Sequence, residues 1–225
     1  MPRRPMSSPQ SRTPLTRERV LSAAVQLADE GGIESVTMSE LGLRLGVKAM
    51  SLYNHVANKD DILDGMVDLV VREIDLPSDT IGWREAMRRR AISAQAVFAR
   101  HPWASRLIDS RQSSGPARLS YFDWMLGTLR RSGFTIQMTA RAVSVLDSYI
   151  YGFGRQQLNM SAGPDLNPED IAEAFLREIP ADEYPHLREM VVEYAMKSGH
   201  DESSDFEFGL DLILDGMPVL FLDLF

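Results

Sequence analysis

Residues 37–56 read TMSELGLRLGVKAMSLYNHV, and this stretch decides the fold of the N-terminal part of the chain. It opens with a helix-start signal, because Thr37 can cap a helix and Glu40 stands three residues later, as a capping box requires. We expect Gly46 to end this short helix, and a second short helix is predicted over about 47–56. Two short helices joined by a tight glycine turn are typical of the helix-turn-helix, whose second helix can lie in the major groove of DNA.

The outward side chains of this stretch suit DNA. Leu and Val at 41, 45, 47, 52 and 56 can pack inward, which leaves the residues between them facing outward. Lys48 can bind phosphate or guanine, and Asn54 can read an adenine edge. The other candidates are Ala49 and Met50 for a thymine methyl, Ser51 as a donor to bases, and Thr37, Ser39, Tyr53 and His55 as donors to phosphates. A glycine turn between short helices also occurs in helical proteins that do not bind DNA.

The charge distribution favours nucleic acid at one end only. Residues 1–59 carry eight Lys and Arg against five Asp and Glu, a net of +3. The rest of the chain carries 16 against 27, a net of −11, so the formal total is −8. A basic N-terminal part on an acidic remainder is expected when only that part contacts phosphate.

Composition narrows the class of protein further. The chain has 225 residues, of which 44% are hydrophobic, enough for a sizeable core. It contains no cysteine, which excludes disulfides, thiolate catalysis and Cys-based zinc sites. No secretory signal is apparent, and no apolar run approaches the roughly 18 residues that a membrane span needs. We therefore expect a cytoplasmic protein without membrane contact.

Helical periodicity runs through the rest of the chain, and we predict an all-α fold. Residues 1–14 are rich in Pro, Ser and Arg and are predicted to be a disordered arm. The helix-turn-helix domain is expected over 15–60, and a connecting fourth helix over 61–76, begun by a cap at Asn58. Residues 77–225 show helical segments separated by Pro and Gly and are predicted to form one helical domain.

The amino-acid sequence contains none of the common catalytic motifs. There is no Gly-rich phosphate loop, nucleophile elbow or paired-carboxylate motif. Glu183 and His186 have a metal-like spacing, but Pro185 between them argues against a shared helix face. We predict no enzyme activity, no cofactor and no metal site, and an all-α enzyme stays the weakest alternative.

Three stretches resemble the tetracycline-repressor (TetR) family of transcriptional repressors. Residues 46–63, GVKAMSLYNHVANKDDIL, resemble the family's recognition helix and its junction to the fourth helix, and residues 23–41 resemble its first helix and the start of its second. Residues 205–216, DFEFGLDLILDG, resemble the final dimerisation helix of the tetracycline-repressor branch. The resemblance implies a homodimer that binds double-stranded operator DNA and is released by a small-molecule effector.

The resemblance also assigns roles to single positions. Contacts to the DNA backbone are implied for Thr37, Ser39, Tyr53, His55 and Lys59, and contacts to bases for Lys48, Ala49, Met50, Ser51 and Asn54. Position 54 is often a large aromatic in the family, so Asn54 leaves the operator sequence open. The rival hypothesis is a helical ligand-binding or dimerisation protein without sequence-specific DNA binding.

The C-terminal domain carries two further sets of candidates. A stripe on the last helix and part of the helix at 135–160 are predicted to form the dimer interface, although both could instead face their own core: Val145, Tyr149, Gly152, Phe206, Leu210, Ile213, Leu214 and Met217. Apolar residues expected to line an effector pocket, or else to fill the core, are Met87, Phe98, Trp103, Phe122, Met125, Leu129, Tyr149 and Phe153. Such a lining predicts a hydrophobic or aromatic effector with one or two polar groups. Its polar anchor is left open among Arg106, Asp109, Gln156 and Tyr149.

Overall fold

The computed structural model describes residues 14–78, 80–110, 115–161, 168–180, 183–195 and 202–218. All regular structure in these ranges is helical, which confirms the all-α prediction. The arm predicted over 1–14 lies outside them except for Pro14. The α-helices are α1 (Arg17–Gly31), α2 (Met38–Leu45), α3 (Ala49–Leu52), α4 (Lys59–Val71), α5 (Trp83–Arg100), α6 (Ala104–Ser110), α7 (Pro116–Arg131), α8 (Ile136–Ser161), α9 (Pro168–Glu178), α10 (Pro185–Met190) and α11 (Glu202–Gly216).

The chain divides into two compact units. The N-terminal unit contains the residues up to Glu73 together with Trp103–Ser120, and the C-terminal unit contains Ile74–Pro102 and the residues from Tyr121 onward. The N-terminal unit is thus larger than the predicted head of residues 15–60, because α4, α6 and the start of α7 group with it.

Side-chain caps begin three of the first four helices. Thr16 Oγ1 accepts from the amide of Arg19, and Thr37 Oγ1 accepts from the amide of Glu40, both at 3.2 Å. Asn58 Oδ1 accepts from the amide of Asp61 at 2.8 Å. A cap satisfies an amide that the helix itself leaves unpaired, so these residues determine where α1, α2 and α4 start.

The N-terminal unit is built around α1 and α4, which pack together with α2. Its buried side chains include Val20, Leu27, Leu41 and Met66. A Cβ atom on Gly65 of α4 would lie 2.6 Å from a methyl carbon of Leu21, so the missing side chain lets α1 and α4 approach. This compact support holds α2 and α3 in place.

The C-terminal unit is built around α5, α8 and α11, since α11 packs on both α5 and α8. Apolar residues of α11 are buried in this contact. Beside them runs a ladder of ion pairs, in which Arg84 of α5 bonds Asp215 and Asp211, and Arg88 bonds Asp211 and Glu207. Residues 207, 211 and 215 are one turn apart, so a single charged stripe of α11 faces α5.

Candidate functional sites

The second helix of the helix-turn-helix is shorter than predicted. Only Ala49–Leu52 is α-helical, with Lys48 at its N-cap, whereas a helix was expected over about 47–56. Beyond it the amide of His55 bonds the carbonyl of Leu52 at 2.9 Å, an i to i−3 bond that tightens the chain into a turn. The turn ends at Val56, which is buried with Leu52, shortly before Asn58 opens α4.

None of the ten predicted DNA-contact residues is buried. Met50 is 75% exposed and Tyr53 is 48% exposed, although both are large and partly apolar. Ala49, Ser51 and His55 are half-buried, and the others are exposed: Thr37, Ser39, Lys48, Asn54 and Lys59. The structure therefore leaves every one of these side chains open to a partner.

Two exposed lysines of this surface keep their charge available. Lys48 caps α3, and Lys59 is the first residue of α4. Neither forms an ion pair with another described residue. Nearby, Asp61 is bound by the amide of Ala57 and by Arg17; these contacts outweigh the effect of burial and hold its pKa below the ordinary value. The carboxylate of Asp61 is thus engaged by groups other than Lys59.

The turn between α2 and α3 depends on two glycines. Gly46 has a φ of 67°, in the left-handed region that glycine adopts without strain. A Cβ atom on Gly42 would lie 2.9 Å from the carbonyl oxygen of Val47 and 3.1 Å from the amide nitrogen of Ala49. The backbone of α3 therefore rests directly on α2, and the sequence analysis missed that this contact requires the missing side chain of Gly42.

A buried carboxylate links α4 to the start of α7. Asp68 Oδ1 accepts from the amides of Ala117 and Arg118 at 2.8 and 3.1 Å, and its Oδ2 accepts from Arg72 at 3.1 Å. The side chain of an α4 residue thus does what an N-cap does for α7. The sequence offered one signal, an Asp among the apolar residues of α4.

Seven of the eight predicted pocket residues lie in the C-terminal unit. Met87, Phe98, Met125 and Leu129 are buried, and Phe122, Tyr149 and Phe153 are half-buried. Trp103 belongs to the N-terminal unit, where its indole N–H donates to Asp29 at 2.7 Å. Among the polar candidates, Arg106 and Gln156 are exposed, and the side chain of Asp109 lies outside the described residues.

The apolar stripe of α11 faces its own unit, which corrects half of the predicted dimer interface. Phe206, Leu210, Leu214 and Met217 are at most 4% exposed in the single chain, so a second copy cannot cover them. Tyr149 adds to this packing, because its ring stacks on Phe206 at 5.3 Å and its hydroxyl donates to the Phe206 carbonyl at 3.0 Å. Periodicity identified the apolar face of α11 but not its partner.

The open apolar face of α11 lies elsewhere on the helix. Phe208 is 69% exposed and Leu212 is 61% exposed, and neither was predicted as an interface residue. On α8, Val145, one of the predicted interface residues, is 50% exposed in the single chain. Gly152 and Ile213 are half-buried.

One polar cluster in the C-terminal unit was not predicted at all. Arg90 is wholly buried, its Nε donates to the Tyr121 hydroxyl at 2.7 Å, and its Nη2 pairs with Asp147. Burial opposes the charge of Arg90, but Tyr121 and Asp147 outweigh it and raise its pKa above the ordinary value. The guanidinium therefore stays protonated inside the unit.

Neither a metal cluster nor a membrane span is seen in the described ranges. They hold no group of three or more His, Asp or Glu residues placed to bind a metal ion. No described helix combines the length and the hydropathy that crossing a membrane requires.

Comparisons with known proteins agree with this arrangement. Residues 20–66 match the family described as "Bacterial regulatory proteins, tetR family", and residues 76–220 match "Tetracyclin repressor-like, C-terminal domain". The HTH-type transcriptional repressor DrrR1 of Streptomyces coeruleorubidus is 34% identical over 223 residues, which cover 97% of this chain and 82% of that protein. The class D tetracycline repressor protein of Escherichia coli is 26% identical over 210 residues, with 91% and 90% covered.

Solved structures show the same likeness. The Streptomyces coelicolor TetR family protein ActR in complex with actinorhodin superposes with a TM-score of 0.75 at 25% identity, over 92% of this chain and 98% of that one. Apo ActR gives a TM-score of 0.74 at 25% identity, over 91% and 95%.

Proposed function

Because the chain belongs to the TetR family of DNA-binding, ligand-responsive transcriptional repressors, we propose that its operator contacts are made by the exposed side chains around α3. The observation that carries this proposal is the availability of Lys48 and Lys59, two exposed cations without an ion pair among the described residues. A protein–DNA interface draws a large share of its affinity from cations that contact phosphates, the role assigned to Lys59, and a lysine such as Lys48 can also bind guanine.

The ten candidates divide by chemistry. Tyr53, His55 and Lys59, with Thr37 and Ser39 at the start of α2, are assigned to the DNA backbone. The capping bond of Thr37 uses one lone pair of its hydroxyl, and the hydroxyl hydrogen can still donate to a phosphate. Lys48, Ala49, Met50, Ser51 and Asn54 are assigned to bases, where a bidentate contact by Asn54 would select adenine.

A gel shift tests the proposal most directly. The probe is the DNA immediately upstream of the gene that encodes this chain, with a scrambled duplex of the same length as control. Retention of the upstream probe at concentrations that leave the scrambled duplex free is the expected result. If both probes are retained equally, or if neither is retained, the result supports the rival hypothesis. That rival is a helical ligand-binding or dimerisation protein without sequence-specific DNA binding.

The second part of the proposal is a homodimer formed through α8 and α11. A dimer places two recognition elements so that they reach two half-sites about one DNA turn apart. Its interface combines predicted residues that stay accessible, Val145, Gly152 and Ile213, with the exposed Phe208 and Leu212. Ser144 and Ser148, exposed on the same helix as Val145, are small enough to allow close helix approach.

The third part concerns the effector. ActR is solved with a bound small molecule, which supports a small-molecule effector for this chain as well. The predicted lining residues in the C-terminal unit are apolar or aromatic, with Tyr149 close to Phe153 and Phe206. An apolar or aromatic effector suits them better than a sugar phosphate. An effector that releases operator DNA must itself bind the DNA-bound dimer more weakly, by the same factor.

A further inference from the structure

An ion pair joins the first turn of α1 to the first turn of α4. Arg17, the first residue of α1, pairs through its Nη2 with the carboxylate of Asp61. The same nitrogen also donates to the main-chain carbonyl of Asp61 at 3.4 Å. One arginine therefore contacts both the side chain and the backbone of the residue two positions after Lys59, although 44 residues separate Arg17 from Asp61 in the sequence.

Asp61 fixes the backbone on both sides of Lys59. Before the lysine, the amide of Ala57 donates to Asp61 Oδ2 at 2.9 Å. After it, the amide of Asp61 donates to Asn58 Oδ1 at 2.8 Å. These reciprocal bonds are similar to a capping box, except that the carboxylate reaches one residue further back along the chain. The turn that carries Lys59 is thus closed by its own hydrogen bonds, and Arg17 holds the carboxylate from another helix.

Gly65 gives the side chain of Arg17 the space to reach Asp61. It follows Asp61 by one turn, on the same face of α4. A Cβ atom at Gly65 would lie 3.1 Å from Arg17 Nη1 and 2.6 Å from a methyl carbon of Leu21. The guanidinium of Arg17 therefore lies close to the backbone of α4, where a side chain is missing. A glycine and a carboxylate, one turn apart, together receive this arginine.

Folding stability alone does not explain the ion pair. The side chain of Arg17 is 47% exposed and that of Asp61 is 30% exposed. Exposed ion pairs contribute little to folding, because water solvates the separated charges and the ordering of two side chains costs entropy. The pair does determine geometry, since it holds the end of α4 that begins with Lys59.

We propose that Arg17 is a positioning residue of the DNA interface, which acts through Asp61 to hold the start of α4 where Lys59 meets the DNA backbone. Arg17 itself makes no contact with DNA in this role. The inference rests on the proposed phosphate contact of Lys59 and adds a residue of α1, a helix to which no DNA contact is assigned. A fixed backbone beneath a flexible lysine lowers the entropy cost of its contact with a phosphate.

The test measures operator affinity by fluorescence anisotropy, with a labelled duplex from immediately upstream of the gene as the probe. In each protomer, one phosphate contact contributes about eightfold to affinity at about 0.1 M salt, since its share of the salt slope is about 0.9. Arg17→Gln should therefore weaken binding by about threefold to eightfold per protomer. In the Lys59→Ala background the same change should have no further effect, because the residue on which Arg17 acts is gone.

Asp61→Asn tests the link by the sign of its effect. By charge alone, the removal of a carboxylate near DNA should strengthen binding. If Asp61 is the link to Arg17, the change instead weakens binding, because the new amide can accept from Ala57 but no longer pairs with the guanidinium. The double variant of Arg17→Gln with Asp61→Asn should bind no more weakly than the weaker single variant, since both changes break the same link.

A matched control comes from α9. Arg177→Gln breaks an exposed ion pair with Glu173 and removes the same positive charge, so its operator affinity should equal that of the unchanged chain. Circular dichroism checks that each variant is folded at the assay temperature. If Arg17→Gln does not fold, Asp61→Asn, which keeps the size of the side chain, decides the question by the sign of its effect.

Four results would overturn the positioning role. If the loss in Arg17→Gln persists in the Lys59→Ala background, Arg17 contacts DNA itself or acts on another part of the interface. Tighter binding by Asp61→Asn means that this carboxylate only repels DNA. Unchanged affinity in Arg17→Gln, beside a loss in Lys59→Ala, rejects the role of Arg17 and leaves the contact of Lys59 standing. If Lys59→Ala has no effect, the proposed phosphate contact fails, and the role of Arg17 is rejected with it.

Discussion

The carboxylate of Asp68, in the middle of α4, lies 2.8 Å from the amide nitrogen of Ala117 and caps α7 from another helix. Asp68 is buried, and an unpaired carboxylate inside the unit would be costly. This hydrogen bond helps to stabilise its charge. Gly115 fits against the same carboxylate, and a Cβ atom there would overlap it. The contact of α4 with the start of α7 therefore requires both the carboxylate of Asp68 and the missing side chain of Gly115.

Asp68→Ala should lower the free energy of unfolding by about 1–3 kcal/mol, because two partly buried amides lose their acceptor. Asp68→Asn should cost less, since its side-chain oxygen can still accept from the same amides. Urea denaturation measures both, with Asp123→Ala at an exposed site of α7 as the control. If the Asp68 and Asp123 variants are equally stable, the capping role is wrong.

Gly42→Ala should disturb the helix-turn-helix, because the new Cβ atom meets the backbone of Val47 and Ala49. Forcing extra volume into such a contact costs about 1–3 kcal/mol of stability. Gly154→Ala is the matched control, since a Cβ atom there meets nothing within 4 Å and alanine favours a helix. The unfolding free energy and the operator affinity should both fall in Gly42→Ala. Neither should fall in Gly154→Ala.

Lys59→Ala should weaken binding to every DNA sequence and reduce the slope of log affinity against log salt by about one, because one phosphate contact is lost. Tyr53→Ala should likewise weaken binding without changing the sequence preference. Isotherms across salt concentrations measure both, with Arg177→Ala on α9 as a cation control. Unchanged affinity in the Tyr53 and Lys59 variants contradicts the proposed interface.

Asn54→Ala should act differently from the lysine variant. A bidentate contact to a base contributes about 1–3 kcal/mol of discrimination, so its loss should relax preference at one operator position. Competition between operators that differ at single base pairs measures this. A uniform loss of affinity across all operators would move Asn54 from the bases to the backbone.

Leu212→Glu should convert a dimer into monomers that remain folded, because Leu212 is exposed in the single chain. Leu214→Ala should instead lower stability by about 2–5 kcal/mol, as truncation of a fully buried leucine does. Light scattering and thermal unfolding separate the two effects. A monomeric unchanged protein at micromolar concentration would refute the homodimer.

Local signals explain why much of the N-terminal unit was predictable. The Thr37 and Asn58 caps and the Gly46 turn each depend on a few neighbouring residues, and the structure shows all three. The length of α3 was overestimated, because the i to i−3 turn after Leu52 keeps the same apolar spacing as a helix. Pattern alone does not distinguish these two forms over so few residues.

Contacts between distant helices were not predictable in the same way. The apolar stripe that contains Phe206 and Leu210 has the same sequence pattern whether it packs on its own core or on a second copy. Only the packing of α11 on α5 and α8 shows that it faces its own core. Arg90 was missed because charged side chains are rarely fully buried, and its partner Asp147 is 57 residues away. Asp68 escaped for the same reason, since the amides it caps follow 49 and 50 residues later.

The three faces of α11 make this helix attractive for engineering. Its core face holds the helix to its own chain, its Asp and Glu stripe pairs with Arg84 and Arg88, and its remaining face bears Phe208 and Leu212. Changes on that last face leave the other two intact. Oppositely charged versions of positions 208 and 212 in two copies would disfavour each copy's pairing with itself and favour mixed pairs. Such mixed dimers would combine two different helix-turn-helix domains and could bind asymmetric DNA sites.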